Sequence, residues 1–460
     1  MNDATTPPVE LLACPRTGEP LVATDSGYRS LGGQVSFTRL DGIPALFAEP
    51  DATLGEWRDR WHLQLVQLEQ HAQRLQQSLA SNTVSPLGRE RLAHLHQATL
   101  AHRQQLAALL APLGLASRRA GPETHLALRT RLPPDQALTT YYANVHRDWC
   151  WGDAENAASL QLLRETLDAA ENPQLGRTLV LGAGAGRLAW DVHQQLAPTV
   201  TIALDFNPLL ILLLACMVRG ESVSLHEFPI APKLLTDQAV LRTLRAPGPT
   251  RPGFHPLLGD ALRPPLMPGC FDTVITPWVL DILPEDPRVQ LARINGLLAP
   301  GGQWLQFGSL NFSFADAALG FTLEELPALA EAAGFGPIAP REAELPYMCS
   351  PASRHGRREQ VIALRARKLG AVKAPARHVA LPDWLVTGRE PVPLVPAFRE
   401  QAMATRIHLF IIELIDGKRT LKDMASILEQ QRLMSRDEAE ESIRGFLIRL
   451  FEDAGRGRRY

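Results

Sequence analysis

Three glycines stand in five residues, Gly182-Ala183-Gly184-Ala185-Gly186, after the apolar run Arg177–Leu181 and before the helical stretch Leu188–Gln195. A strand, a glycine-rich turn and a helix in that order let backbone approach a nucleotide-like ligand without Cβ clashes. Several nucleotide folds share that turn, so the acids that follow carry the discrimination. Asp205 closes a second strand-like run, Val200–Leu204, at the distance where such folds set a carboxylate against ribose hydroxyls. The following Asn207-Pro208 leaves a helix N-cap as the other use of Asp205. Next comes Leu257-Leu258-Gly259-Asp260-Ala261, then Phe271-Asp272-Thr273-Val274-Ile275-Thr276, then the turn Pro300-Gly301-Gly302 before Trp304–Phe307.

Each of these segments is weakly specific, but their order together resembles the class I methyltransferases, which use S-adenosylmethionine. The resemblance implies a cofactor site made by Gly182, Gly184, Gly186 and Arg187, with Asp205 at the ribose and Asp260-Ala261 at the adenine. Two further segments, Asn144-Val145-His146-Arg147-Asp148-Trp149 and Leu181–Trp190, together with Gly301-Gly302-Gln303-Trp304, are similar to the carnosine N-methyltransferase family over residues 140–366. That similarity implies that the Arg-Asp-Trp segment folds over the cofactor, with Arg147 and Asn144 touching it. The other use of Arg147 and Trp149 is to stabilise a helix.

On the substrate side the similarity implies Asp281 as base or orienter and Tyr347 as a second catalytic and substrate residue, with Trp278 as a pocket wall. Asp281 would accept a hydrogen bond from an amine or imidazole; a helix N-cap after Pro284 is its other use. The family's Tyr-His-Phe segment falls on Phe312-Ser313-Phe314, and a later tyrosine falls on Arg357-Arg358. An imidazole-dipeptide pocket is therefore not intact. Arg354, His355, Arg357 and Arg358 form a cationic cluster instead, with Arg358 the candidate ligand for a carboxylate or phosphate, or else part of a solvated loop.

Elements to hold these residues follow from patterning. Strand-like runs alternate with helical stretches over 140–368, which implies a doubly wound α/β, Rossmann-like core. Residues 1–50 read as a small β module broken by Gly and Pro. It resembles the zinc ribbons of the tRNA-methyltransferase-activator type, but Cys14-Pro15-Arg16-Thr17 lacks the second cysteine, so no metal is expected. Residues 51–115 carry two heptad-like seams, Trp57–Leu79 and Leu92–Leu113, and read as a helical hairpin turning at Ser81–Pro86. An Arg-, Gly- and Pro-rich linker is expected over 116–139. Residues 378–460 resemble PqqD-like winged-helix modules, with Asp416-Gly417 before helices Leu421–Gln430 and Ser435–Glu452; the resemblance implies a leader-peptide partner, and a plain interaction module fits the residues equally.

The formal net charge is -2, which argues against a general nucleic-acid binder. No apolar run approaches the ~18 residues of a membrane span. The five cysteines are scattered and show no metal-ligand spacing, and with no signal-peptide pattern they suggest a reducing, cytoplasmic setting. The expected activity is N-methylation of a small amine or imidazole compound, or of a peptide. A non-catalytic effector-binding scaffold and an RNA or protein methyltransferase are the competing readings, the last weakened because strand four ends Thr276-Pro277-Trp278-Val279 rather than in Asn/Asp-Pro-Pro-Tyr.

Overall fold

The computed structural model describes residues 6–33, 35–81, 84–115, 141–168, 174–312, 317–373, 375, 391–394 and 396–456. The linker expected over 116–139, the turn residues Asn82 and Thr83, and Ser313-Phe314 lie outside them. The chain divides into two compact units, residues 1–380 and 381–460.

The first unit opens with four short strands, β1 (Leu21–Thr24), β2 (Gly27–Ser30), β3 (Ser36–Leu40) and β4 (Ile43–Leu46), then a hairpin of helices α1 (Pro50–Leu79) and α2 (Pro86–Leu109). A short helix α3 (Tyr142–His146) runs into a π-helical turn, Arg147–Trp151, and α4 (Asp153–Asp168). There follow β5 (Arg177–Leu181), α5 (Arg187–Gln195), β6 (Val200–Asp205), α6 (Pro208–Val218), β7 (Val223–Glu227), β8 (Val240–Leu244), β9 (Phe254–Gly259) and β10 (Phe271–Pro277). The unit ends with α7 (Pro287–Leu297), β11 (Leu298–Gly308), α8 (Leu326–Ala332), β12 (Arg341–Tyr347) and β13 (Arg357–Arg367).

Among the described residues, eleven strands form one sheet in the order β1-β2-β3-β4-β9-β6-β5-β10-β11-β13-β12, and β7-β8 form a separate hairpin. The run from β9 to β11 is parallel, and β13 and β12 turn antiparallel at the edge. This is the doubly wound, Rossmann-like architecture expected from the sequence. The order reverses beside β5, and ligands of open α/β sheets bind at the carboxyl ends of strands at such a switch point. The N-terminal strands do not stand apart from this sheet. Ala45 pairs with Leu258 and Leu46 with Gly259 in parallel register, so β4 continues the core beyond β9.

Alternation along the central strands explains the packing. Val180 and Ala203 face one apolar cluster, whereas Leu179, Leu181, Ile202 and Leu204 face another, because successive side chains of a strand point to opposite faces. The apolar run Leu209–Met217 is buried on every side, as a helix hydrophobic all round must be. It lies in the same cluster as Trp57 and Trp61 of the hairpin. Pro300-Gly301-Gly302 is a bulge inside β11, where the register to β10 shifts between Phe271 and Thr273.

The second unit holds three helices among its described residues, α9 (Pro396–Glu413), α10 (Leu421–Gln430) and α11 (Arg436–Arg456), around Ile411, Leu414, Met424, Leu428 and Ile443. Thr420 and Asp423 form a reciprocal capping box at α10. Pro396 opens α9, as its fixed φ suits a first helical turn. No strand, and so no β-wing, occurs among the described residues of this unit.

Candidate active site

At the carboxyl end of β5 the glycine loop is held from both sides. Gly186 sits at φ +88°, and a Cβ there would lie 2.5 Å from Leu214. Gly184, at φ +61°, has nothing within 4 Å of the same position. Gly186 is thus required by packing, while the space beside the Gly184 backbone is open. Asp205 ties the loop to the next strand, its carboxylate accepting the Gly184 N–H (2.8 Å) on one oxygen and the Asn207 N–H (2.9 Å) on the other. Burial raises its pKa to about 6 against the lowering pull of those backbone donors. Asn207, not Asp205, caps the following helix, accepting from the Leu209 N–H.

Gly182, Gly184 and Asp205 line an open cleft together with Asn144, Arg147, Asp260, Ala261, Trp278 and Tyr347. Asp260 shapes its own loop, accepting the Leu262 N–H at 2.8 Å. The Arg-Asp-Trp segment supplies the π-helical turn, a form often found at functional sites. Arg147 reaches the cleft, paired with Asp148 at 2.6 Å and 5.2 Å from the centre of the Tyr347 ring. Trp149 points away from it, donating its indole N–H to the Ala185 carbonyl at 2.8 Å.

Arg187 and Gly186, placed at the cofactor by sequence, are not lining residues. Arg187 lies behind the loop, where it meets the Asp148 carbonyl (2.7 Å), Asp153 (3.0 Å) and Asp191 (3.0 Å). It locks the Arg-Asp-Trp segment to the glycine loop. Its partner Asp191, four residues on along one helix, is visible in the sequence and was the available signal.

On the opposite wall Trp278 lies at φ +53°, its N–H bound to the Phe307 carbonyl at 2.7 Å. Its ring is 5.1 Å from that of Tyr347 and 6.0 Å from that of Phe307. Asp281 follows on the same segment and does not cap a helix, since Asp286 caps α7. One oxygen of Asp281 accepts from the Ser309 hydroxyl (2.7 Å) and the Asn311 N–H (2.8 Å), and the other is buried without a partner. Its neighbours Trp278, Val279, Ile282 and Leu283 line the cleft, and Asp281 itself stands outside the lining.

The cationic cluster is not gathered at the cleft. Arg358 is exposed and pairs with Glu344 across the edge hairpin. Arg354 donates to the Lys233 carbonyl at 2.7 Å, and Arg357 covers the Tyr347 ring at 4.7 Å. Strand geometry explains the split, because Arg357 and Arg358 point to opposite faces. The sequence also missed Tyr141, Glu155, Asn156 and Phe206, all of which line the cleft. Glu155 accepts the Met348 (3.0 Å) and Cys349 (2.8 Å) N–H groups and so fixes the backbone just after Tyr347. Only Phe206, next to Asp205, had a local signal. Among the described residues, no three His, Cys, Asp or Glu are grouped to hold a metal ion, and no helix is long and apolar enough to cross a membrane.

The family model of carnosine N-methyltransferase matches residues 135–357. No curated protein sequence matches the chain. Among solved structures, a putative methyltransferase from Bacillus halodurans C-125 is 14% identical, with 46% of this chain and all of that one covered, at a TM-score of 0.32. The N-methyltransferase NodS from Bradyrhizobium japonicum WM9, in complex with S-adenosylhomocysteine, is 17% identical, covering 50% and 98% of the two chains at 0.31. Phosphoethanolamine N-methyltransferase 2 of Haemonchus contortus is 16% identical, covering 45% and 43% at 0.29. Over residues 135–357, just under half of its length, the chain resembles the carnosine N-methyltransferase family, and that likeness supports an S-adenosylmethionine-dependent methyltransferase activity.

Proposed function

We propose that the cleft holds the cofactor between the glycine loop and Asp260, and that the chain methylates a nitrogen of a small amine or imidazole compound, or of a peptide. The observation that carries this reading is one continuous cleft joining the Asp205-tethered loop to the Trp278–Tyr347 wall beside Asp281. The residues fit the group: Gly184 leaves room at the backbone, and Asp205 offers a carboxylate to ribose hydroxyls. When bound, S-adenosylmethionine supplies a methyl group on an electrophilic sulfonium.

The protein's own part is alignment, and proximity supplies much of the rate. Arg147 closes the cleft from one side. Trp278 and Tyr347 wall the acceptor end. Asp281 stands just behind that wall, where it holds the Ser309 hydroxyl and the Asn311 N–H and so positions the Trp278–Leu283 segment against the acceptor. The lining carries Asp148, Glu155, Asp205 and Asp260 against Arg147, itself neutralised by Asp148. That balance favours a substrate arriving as an amine or imidazole over an acidic one.

The test offers the full chain S-adenosylmethionine and a panel of free amines, imidazoles and His-containing peptides, and follows product mass. At least one acceptor is expected to gain a methyl group. Asp281→Asn should lower kcat/KM for it by about a hundredfold and leave S-adenosylhomocysteine affinity unchanged. Full activity in Asp281→Asn removes that residue from the reaction, and methylation confined to oxygen or carbon acceptors sinks the proposal.

A further inference from the structure

The loop Asp260–Met267, which carries Asp260 and Ala261 to the cleft, is gripped by the N-terminal strands at both of its ends. At its start, β4 pairs with the last residues of β9, Ala45 with Leu258 and Leu46 with Gly259. At its end, Leu12 bridges Leu266, the Ala13 N–H donates to the Pro265 carbonyl at 3.0 Å, and the Met267 N–H donates to the Leu11 carbonyl at 2.9 Å. Between these, Glu49 meets Arg263 at 3.0 Å. The Glu49 side chain is only 4% exposed and that of Arg263 23%, so water screens this pair far less than a surface pair. The Arg263 N–H in turn donates to the Asp260 carbonyl at 3.1 Å.

We infer that residues 8–49 are a built-in clamp for the cofactor loop, and that Glu49 and Arg263 are positioning residues for Asp260. Removing the grip takes away the backbone partners that fix the loop at both of its ends. The ordering of Asp260 is then charged to ligand binding, so affinity falls while the reaction at saturating cofactor does not. The inference rests on the proposal above that Asp260 lies at the adenine, where its carboxylate would accept from the exocyclic amino group.

The experiment measures, by calorimetry on the full chain, dissociation constants for S-adenosylhomocysteine and S-inosylhomocysteine. The inosine ligand sets a carbonyl against the Asp260 carboxylate in place of an amino group. Wild type should prefer the adenosyl ligand. Glu49→Gln and Arg263→Met should weaken the adenosyl ligand about tenfold and erase most of that preference. Arg263→Lys, which keeps the cation, should retain both. A general loss of folding would weaken the two ligands equally, so an unchanged preference at lower affinity overturns the clamp, as do variants that bind like wild type. A wild type that binds both ligands alike removes the Asp260 contact, and the inference with it; that outcome is separate from failure of the clamp.

Discussion

Asp205 joins three jobs in one carboxylate: it fixes the Gly184 amide, caps the turn at Asn207 and faces the cleft. Its pKa, raised to about 6 by burial, gives each job a pH dependence. In the empty protein a raised carboxylate pKa contributes stability below the unfolded value, lost as pH rises through 6. Ligand binding runs the other way, because ribose hydroxyls donate to the ionised form. S-adenosylhomocysteine affinity is therefore expected to be constant above pH 7 and to fall toward tenfold per unit below pH 6, as read by calorimetry. Asp205→Asn should bind weakly and without that slope; a wild-type affinity flat from pH 5 to 8 would contradict the assignment. At this scale Gly184, Asp205 and Asp260, each drawn from a weakly specific local pattern, were legible through the order of their segments, and all three line one cleft. Arg187 and Arg358 were misplaced because a cation's type does not reveal which way it points. Glu155 was invisible, since its partners Met348 and Cys349 lie just past the end of a distant edge strand.

Between elements, a seam of aromatic and imidazole rings ties the hairpin to the segment that bears Arg147. His102 of α2 packs edge-on against Tyr142 of α3, and Tyr142 against His146, at 5.0 and 5.1 Å. The Tyr142 hydroxyl donates to the His226 carbonyl at 2.8 Å. Burial, with nearby charges, lowers the pKa of His146 to about 3 and of His102 to about 4. A histidine held neutral contributes stability that is complete above its unfolded pKa and is lost as pH falls through the folded one. Thermal stability should thus decline from pH 6.5 toward pH 4, by on the order of 3 kcal/mol for His102 alone. His102→Leu should show a shallower decline by calorimetric or circular-dichroism melting. An equal slope in the variant would mean that His102 stays protonated in the fold. The helices of this seam were legible from their heptads. The seam itself was not, because it joins residues about forty apart across the stretch 116–140.

For the molecule as a whole, every residue lining the cleft lies between Tyr141 and Tyr347, inside the first unit. Removing 381–460 is therefore expected to leave S-adenosylhomocysteine affinity within about twofold, measured on the fragment 1–380 beside the full chain. A tenfold loss would assign the second unit a part in the cofactor site. The doubly wound core was legible because each strand repeats a local signal, whereas its extension through β4 was not, since two residue pairs carry it. That extension has a cost in time. Strand β4 leaves the ribosome about 200 residues before β9, or roughly 10–40 s at ordinary elongation rates. Until then Ile43, Ala45 and Leu46, all buried in the finished protein, form an unpaired apolar edge. The nascent chain must shelter that edge, on its own hairpin or on a chaperone, so the pace of synthesis between residues 46 and 258 becomes part of what determines how much active protein a cell obtains.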